Sequence, residues 1–94
     1  MTEDPAKYRG AEVWVRRGSQ RRAILKVMEK PQFPSEIVRE ARKVNPKISL
    51  NNCSDVLRGF AEEGLAVCLN PQERVGRLYA LTLKGKRIRK KLIS

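Results

Sequence analysis

The sequence predicts an α+β fold that is mostly helical, in which helices precede a β-hairpin and a last helix follows it. Three observations indicate this fold. Apolar residues recur with helical spacing over residues 49–63. Two short apolar segments, 65–69 and 77–82, flank a polar loop that contains Pro and Gly. The 94 residues are 40% hydrophobic, which suffices for one domain with a modest core.

The helix over residues 49–63 is the central predicted element. Ser49 is the expected N-cap and Gly64 the expected C′ residue. Its apolar face consists of Leu50, Cys53, Val56, Leu57, Phe60, Ala61 and Gly64. The opposite face consists of Asn51, Asp55, Arg58, Gly59 and Glu62, with Asn52 and Ser54 at its edges. These polar groups both donate and accept hydrogen bonds, which suits the reading of base edges in a DNA major groove. An ordinary solvated face is the alternative.

A basic helix is predicted over about residues 20–30, with Ser19 as its cap. Residues 16–31 contain six basic side chains and one acidic side chain. Arg21 and Arg22 lie at the helix start, where backbone N–H groups add to the attraction for phosphate. We therefore expect both to contact phosphate, although solvated arginines would show the same pattern.

Another helix is predicted from Pro34 to about Lys43. Proline fits the first helical position, and Ile37, Ala41 and Val44 repeat with helical spacing to give its buried side. Asn45–Pro46 ends this helix and forms the turn before Ser49. Two helices joined by a short turn, the second with a polar reading face, are the helix-turn-helix arrangement.

A hairpin and a last helix complete the predicted order. The hairpin loop spans residues 70–76, with Arg74 at its tip and Arg77 at its base. Thr82 is the expected cap of the last helix, in which Lys86 is one of six basic residues and no acid occurs. A helix-turn-helix followed by a two-stranded hairpin is a winged helix, here with a three-helix core, a two-stranded wing and a C-terminal helix.

The N-terminal arm is predicted over residues 1–18, and the winged-helix domain over 19–94. Trp14, the single tryptophan, is expected to anchor the arm to the core. The spacing of Tyr8, Ala11, Trp14 and Val15 fits one face of a short helix, and Val13–Val15 fits an extended segment equally well.

Charge and composition narrow the function classes. The chain carries a net charge of +11, which predicts attraction to a polyanion. It has no histidine, so a Ser-His-Asp or Cys-His arrangement cannot be built, and we expect no enzyme. Its two cysteines cannot complete a zinc site, and no cofactor is expected. No apolar run is long enough for a membrane span and no signal segment opens the chain, so a cytoplasmic, nucleoid-associated location is expected.

Several segments resemble one family in order and spacing. They are Phe33–Ile37 at the start of the second helix, Asp55–Leu65 at the end of the reading helix, Leu69–Pro71 in the hairpin, and Gly76–Gly85, which contains a Y-x-L-T-x-x-G join. Together they are similar to small winged-helix transcriptional regulators of the MarR and ArsR type, closest to archaeal members. The resemblance covers Gln20–Leu92 and implies regulation of transcription.

The resemblance assigns groove reading to Asn51, Asn52, Ser54, Asp55 and Arg58, and wing contacts to Arg74 and Arg77. Two residues depart from the family pattern. Asp55 is an acid that repels phosphate but can accept from cytosine N4, and Phe33 replaces the usual hydroxyl cap. The extra helices with which larger members build a dimer and a ligand pocket are missing. We therefore expect no small-molecule effector.

The expected function is sequence-specific binding of double-stranded DNA, with helix 49–63 in the major groove and wing 70–77 on the backbone. Base contacts are expected from Asn51, Asn52, Ser54, Asp55 and Arg58. Phosphate contacts are expected from Arg21, Arg22, Arg74, Arg77 and Lys86. A homodimer through the N-terminal arm or the last helix is compatible with this function. The alternatives are an RNA- or ribosome-associated basic winged helix and a protein-docking winged helix in a larger assembly.

Overall fold

Five helices and one two-stranded antiparallel sheet make up the described part of the chain. The computed structural model describes the backbone of residues 5–93 and the side chains of residues 10–93. The elements are α1 (Pro5–Arg17), α2 (Ser19–Val27), α3 (Pro34–Ala41), α4 (Leu50–Glu62), β1 (Ala66–Cys68), β2 (Tyr79–Leu81) and α5 (Leu83–Ile93). The predicted α+β, mostly helical class is confirmed, and the order of elements is compatible with a small winged helix.

The N-terminal segment is helical, which decides between the helix and the extended segment that the sequence left open. Ala11 and Val15 of α1 are buried in the common core. The ring of Trp14 packs edge-on against that of Phe60, with the centroids 5.9 Å apart and the planes at 79°. Trp14 thus anchors α1 to α4, as expected. The side chain of Tyr8 and the first four residues lie outside the described part, and the boundary at residue 18 stays a prediction.

Helix α2 begins and ends earlier than predicted. Gly18, and not Ser19, is its N-cap, because the Gly18 carbonyl accepts the first helical hydrogen bond, from the N–H of Arg22 at 2.9 Å. The helix ends at Val27, where the N–H of Met28 bonds back to Leu25 and tightens the last turn.

Helix α3 begins at Pro34 as predicted but ends at Ala41, two residues early. The carboxylate of Glu36 accepts from the N–H of Phe33 at 2.9 Å, which satisfies a donor at the helix start. Since the chain has left the helix by Val44, the helical spacing no longer applies there. Val44 is accordingly 57% exposed, and its predicted place in the buried face is wrong.

Both ends of α4 are placed as predicted. The hydroxyl of Ser49 accepts from the N–H of Asn52 at 3.1 Å, and the Asn52 side-chain oxygen accepts from the N–H of Ser49 at 3.2 Å. This reciprocal pair is a capping box. Gly64 follows the end of the helix with a φ of +74°, a conformation that glycine adopts without strain.

The buried face of α4 is narrower than predicted. Cys53, Leu57 and Phe60 are fully buried. Leu50 is 52% exposed, and Ala61 and Gly64 are exposed as well. These three were predicted on the apolar face; the structure leaves them at the margin of the packed surface.

Gly59 lies against the N-terminal helix and not on the open face of α4 where the sequence placed it. A Cβ atom at this position would lie 2.9 Å from the Trp14 ring. The glycine therefore allows the Trp14 ring to approach the backbone of α4. This close approach explains why a glycine occurs inside the helix, where it costs about 1 kcal/mol relative to alanine.

The hairpin has shorter strands than predicted, three residues each. Ala66 pairs with Leu81, Val67 with Ala80 and Cys68 with Tyr79. The extended link before α3 joins this sheet through an isolated bridge, because Gln32 and Tyr79 exchange two backbone hydrogen bonds of 2.9 Å. The link thereby ties the start of α3 to the base of the hairpin.

Helix α5 begins after Thr82, as predicted. The Thr82 hydroxyl accepts from the N–H of Gly85 at 3.2 Å and donates to the carbonyl of Gly64 at 2.6 Å. Gly85 is buried against the backbone of Leu65. Ile88 is fully buried and holds the helix on the core.

Replacement of Gly85 by alanine should destabilise the protein. The added Cβ would overlap the carbonyl oxygen of Leu65, a backbone atom that cannot rotate away. We expect Gly85→Ala to lower the free energy of unfolding by about 1–3 kcal/mol or more, the usual cost of overpacking. Urea denaturation followed by Trp14 fluorescence measures this change.

Gly10→Ala is the matched control, because a Cβ at that exposed helical position meets nothing within 4 Å. It should leave stability unchanged or raise it by up to about 1 kcal/mol through helix propensity. Equal stability of the two variants would contradict the described packing of α5.

Candidate nucleic-acid interface

An open cleft of about 810 Å³ lies between the start of α3, the exposed side of α4 and the hairpin. Three of its lining residues are arginines, and no carboxylate is among the described residues that line it. The lining residues are Phe33, Pro34, Ser35, Leu50, Ser54, Leu57, Arg58, Ala61, Cys68, Arg74, Val75, Gly76, Arg77 and Tyr79. The lining of the cleft therefore carries positive charge and is otherwise largely apolar.

Four predicted site residues meet at this cleft. Ser54 and Arg58 lie on the α4 side, and Arg74 and Arg77 lie on the hairpin side. The predicted reading helix and the predicted wing thus face each other across one groove. All four residues are exposed, so they are accessible to a partner.

Asn51 and Asp55 are also exposed on α4, but they lie outside the cleft lining. Asp55 Oδ1 lies 3.9 Å from Arg58 Nη1, and both side chains are 74% exposed. An ion pair this exposed contributes little to stability. The Asp55 carboxylate and the Arg58 guanidinium are therefore accessible for hydrogen bonding to another molecule.

Asn52 has a structural task in addition to its predicted base contact. It is half-buried, and its side-chain oxygen is engaged by both the N–H and the hydroxyl of Ser49. Hydrogen bonding to a base would therefore have to use its amide N–H groups, or break the cap. Its role in base contact stays a prediction.

The hairpin loop is held by Asn70, for which the sequence predicted no specific contact. Its side-chain oxygen accepts from the N–H of Leu78 at 2.7 Å, and its amide donates to the carbonyl of Gly76 at 2.9 Å. Arg77 Nε donates to the carbonyl of Glu73 at 2.8 Å, which closes the loop a second time. The Asn-Pro pair that opens the loop is a turn signal and was the available indication.

Arg21 and Arg22 lie away from the cleft and bind the protein's own backbone. The Arg21 guanidinium carbon is 4.4 Å from the centroid of the Trp14 ring, and its Nη1 donates to the Trp14 carbonyl at 2.7 Å. Arg22 Nη1 donates to the carbonyl of Arg16. These contacts hold α1 on α2. The phosphate contacts predicted for Arg21 and Arg22 would therefore have to be made by guanidinium groups that already bind within the protein.

The basic residues of α5 are divided between internal contacts and exposure. Arg89 Nε donates to the carbonyl of Lys26 at 2.9 Å, and its Nη2 reaches Glu29 at 3.2 Å. Lys91 Nζ donates to Glu12 at 3.1 Å, which ties α5 to α1. Lys86, the predicted phosphate contact, is exposed but lies outside the cleft lining.

Glu12 has a perturbed carboxyl group. The hydrogen bond from Lys91, with a smaller contribution from Arg16, holds its pKa below the ordinary value. The carboxylate therefore favours folding above its unfolded pKa, and that contribution is lost as the pH falls through the lower folded pKa.

Neither cysteine forms part of a metal centre in the described residues, where no group of three or more His, Cys, Asp or Glu side chains is placed to hold an ion. Both thiols are free. Burial raises the pKa of Cys53 to about 11, so its thiol stays protonated at neutral pH. Cys68 lines the cleft, and its sulfur lies 3.5 Å from the side-chain oxygen of Asn70.

Comparison with known proteins finds no matching family model, curated protein or solved structure. Within the described residues, no helix combines the length and the apolar character needed to cross a bilayer.

Replacement of Arg21 by alanine should lower stability, because it removes a cation–π contact and a charged hydrogen bond between α1 and α2. We expect a loss of about 1–2 kcal/mol in the free energy of unfolding. Thermal unfolding followed by Trp14 fluorescence measures this loss, and the emission should shift as the ring loses its partner.

Arg17→Ala, at an exposed position on α1, is the control and should change stability by less than about 0.5 kcal/mol. Equal effects from the two variants would refute the structural role of Arg21.

Proposed function

We propose that this chain is a winged-helix protein that binds double-stranded DNA and regulates transcription. Helix α4 enters the major groove, and the hairpin loop, residues 70–77, lies along the sugar–phosphate backbone. The observation that carries the proposal is the cleft, in which Ser54 and Arg58 of α4 face two arginines of the hairpin, with no carboxylate among the described lining residues.

The charge distribution on α4 supports entry by residues 50–58 rather than by its C-terminal end. Residues 49–65 have a net charge of −2, but Glu62 and Glu63 lie at the far end of the helix. The remaining acid, Asp55, is beside Arg58. The N-terminal turns also carry the positive end of the helix dipole. The segment 50–58, which contains Asn51, Ser54 and Arg58 and has no net charge, is therefore the part of α4 that suits a polyanion better than its acidic C-terminal end.

The assignment of some residues to phosphate contact and others to base contact follows from general features of DNA recognition. Contacts to phosphate position a protein, and contacts to base edges give specificity. Arg74 and Arg77 on the hairpin supply positive charge for phosphate. Arg58 and the amide and hydroxyl groups of α4 supply donors and acceptors for bases. The net charge of +11 attracts the duplex at longer range.

The start of α3 supports the same docking mode. Ser35 is exposed in the first turn of α3 and lines the cleft beside Phe33. Pro34 has no N–H, and the carboxylate of Glu36 already accepts from the N–H of Phe33. The Ser35 hydroxyl can instead donate to a phosphate at this end of the cleft while α4 contacts the bases.

Arg58→Ala and Arg74→Ala should have different effects on DNA binding. Loss of Arg58 should weaken binding to the preferred duplex by about 1–3 kcal/mol and relax base choice at one position, since a bidentate base contact is removed. Loss of Arg74 should weaken binding to every duplex alike and lower the salt slope by about 1, since one phosphate contact is removed. Selection from a random duplex pool, followed by titration at several salt concentrations, measures both effects.

Arg58→Lys is the matched control, because it keeps the charge but not the planar fork. It should keep the salt slope and lose base choice. Equal losses on all sequences from Arg58→Ala and Arg74→Ala would contradict the assigned roles. Competition with duplex RNA and single strands separates the alternatives: preference for RNA would favour an RNA partner, and binding to none of them at near-physiological salt would favour protein docking.

A further inference from the structure

Leu50 is an apolar side chain in a row of polar ones. It is the first helical residue of α4, and Leu50, Ser54 and Arg58 follow one another at intervals of four residues. Residues with this spacing lie on one face of a helix. All three line the cleft, so Leu50 faces the same space as the two proposed DNA-contacting residues.

The protein covers Leu50 only in part. Its side chain is 52% exposed, while Cys53 and Leu57 on the same helix are fully buried. Phe33, 41% exposed, lines the same cleft and extends the apolar surface. The backbone at Leu50 is held by the capping box of Ser49 and Asn52, so the leucine is presented in a fixed position.

The major-groove edge of DNA offers one apolar group, the C5-methyl of thymine. An aliphatic side chain on the reading face can distinguish thymine from the other bases by contact with that methyl. The cleft contains three arginines and, among its described lining residues, no carboxylate, which matches a phosphate-flanked base edge in charge. An acidic peptide is a less complete match, since carboxylates would pair with the arginines and leave the exposed amide of Asn51 and hydroxyl of Ser54 unused.

We infer that Leu50 is a specificity-determining residue that contacts the C5-methyl of a thymine in the bound duplex. This inference rests on the proposed DNA-binding function and adds to it a preferred base and the residue that reads it. It also assigns a function to the exposed position of Leu50, a residue that the helical pattern placed on the buried face.

The test uses the full chain and a duplex selected from a random pool. Each thymine of that duplex is replaced in turn by deoxyuridine, which keeps the hydrogen-bonding groups and removes the methyl. Replacement of one thymine should weaken binding of the unmodified protein about fourfold, the factor that corresponds to about 0.8 kcal/mol for one buried carbon group. Leu50→Ala should bind the thymine and deoxyuridine duplexes equally.

Leu83→Ala is the matched control. Leu83 is also the first residue of a helix, is 67% exposed, and lies outside the cleft lining. It should keep the fourfold preference for thymine. Thermal unfolding of both variants verifies that they remain folded.

Three results would overturn the inference. Equal binding of the thymine and deoxyuridine duplexes by the unmodified protein would overturn it and leave sequence-specific DNA binding intact. A preference for thymine that persists in Leu50→Ala would assign the contact to another residue. Failure to select any duplex at near-physiological salt, with capture of an acidic peptide in its place, would overturn the proposed function as well.

Discussion

The backbone at Gly64 and Leu65 joins three elements of the structure. The Gly64 carbonyl accepts from the Thr82 hydroxyl at 2.6 Å, and the Leu65 carbonyl accepts from the Thr82 N–H at 2.9 Å. Gly85 permits α5 to lie directly on Leu65, because a Cβ there would meet the carbonyl. The end of α4, the base of the hairpin and the start of α5 therefore hold one another in place. The angle between α4 and the hairpin, and with it the cleft, depends on this joint.

Internal contacts use much of the positive charge that the sequence suggests for phosphate. Arg21 holds the Trp14 ring, Arg89 reaches the end of α2, and Lys91 reaches Glu12. These side chains fix α1 and α5 on the core. In the proposed interface, recognition depends mainly on the exposed arginines at the cleft, and the remaining charge contributes through long-range attraction.

Local signals accounted for most of the fold. The caps at Ser49 and Thr82, the proline at the start of α3 and the glycine after α4 have strong backbone preferences, so the sequence predicts them correctly. The errors fall where tertiary contacts decide. Periodicity alone placed Val44 and Leu50 in the core, but burial depends on whether another element covers the position.

The candidate site shows the same limit. Residue types at the predicted reading face and wing identified Ser54, Arg58, Arg74 and Arg77, which meet at the cleft. Residue type alone did not indicate that Arg21 contacts Trp14, or that Asn52 closes a capping box. The contact between Arg21 and Trp14 joins two helices that only the fold brings together. The pair of Ser49 and Asn52 is local, and its three-residue spacing was an available signal that was missed.

The most direct test of the proposed interface is a map of backbone amide chemical shifts, recorded by NMR as a selected DNA duplex is added. The largest changes should fall in residues 50–58 of α4 and in the loop 70–77, with smaller changes at the start of α3. Changes confined to α1 and α5, with those two segments unaffected, would contradict the assignment of the cleft as the DNA-binding surface.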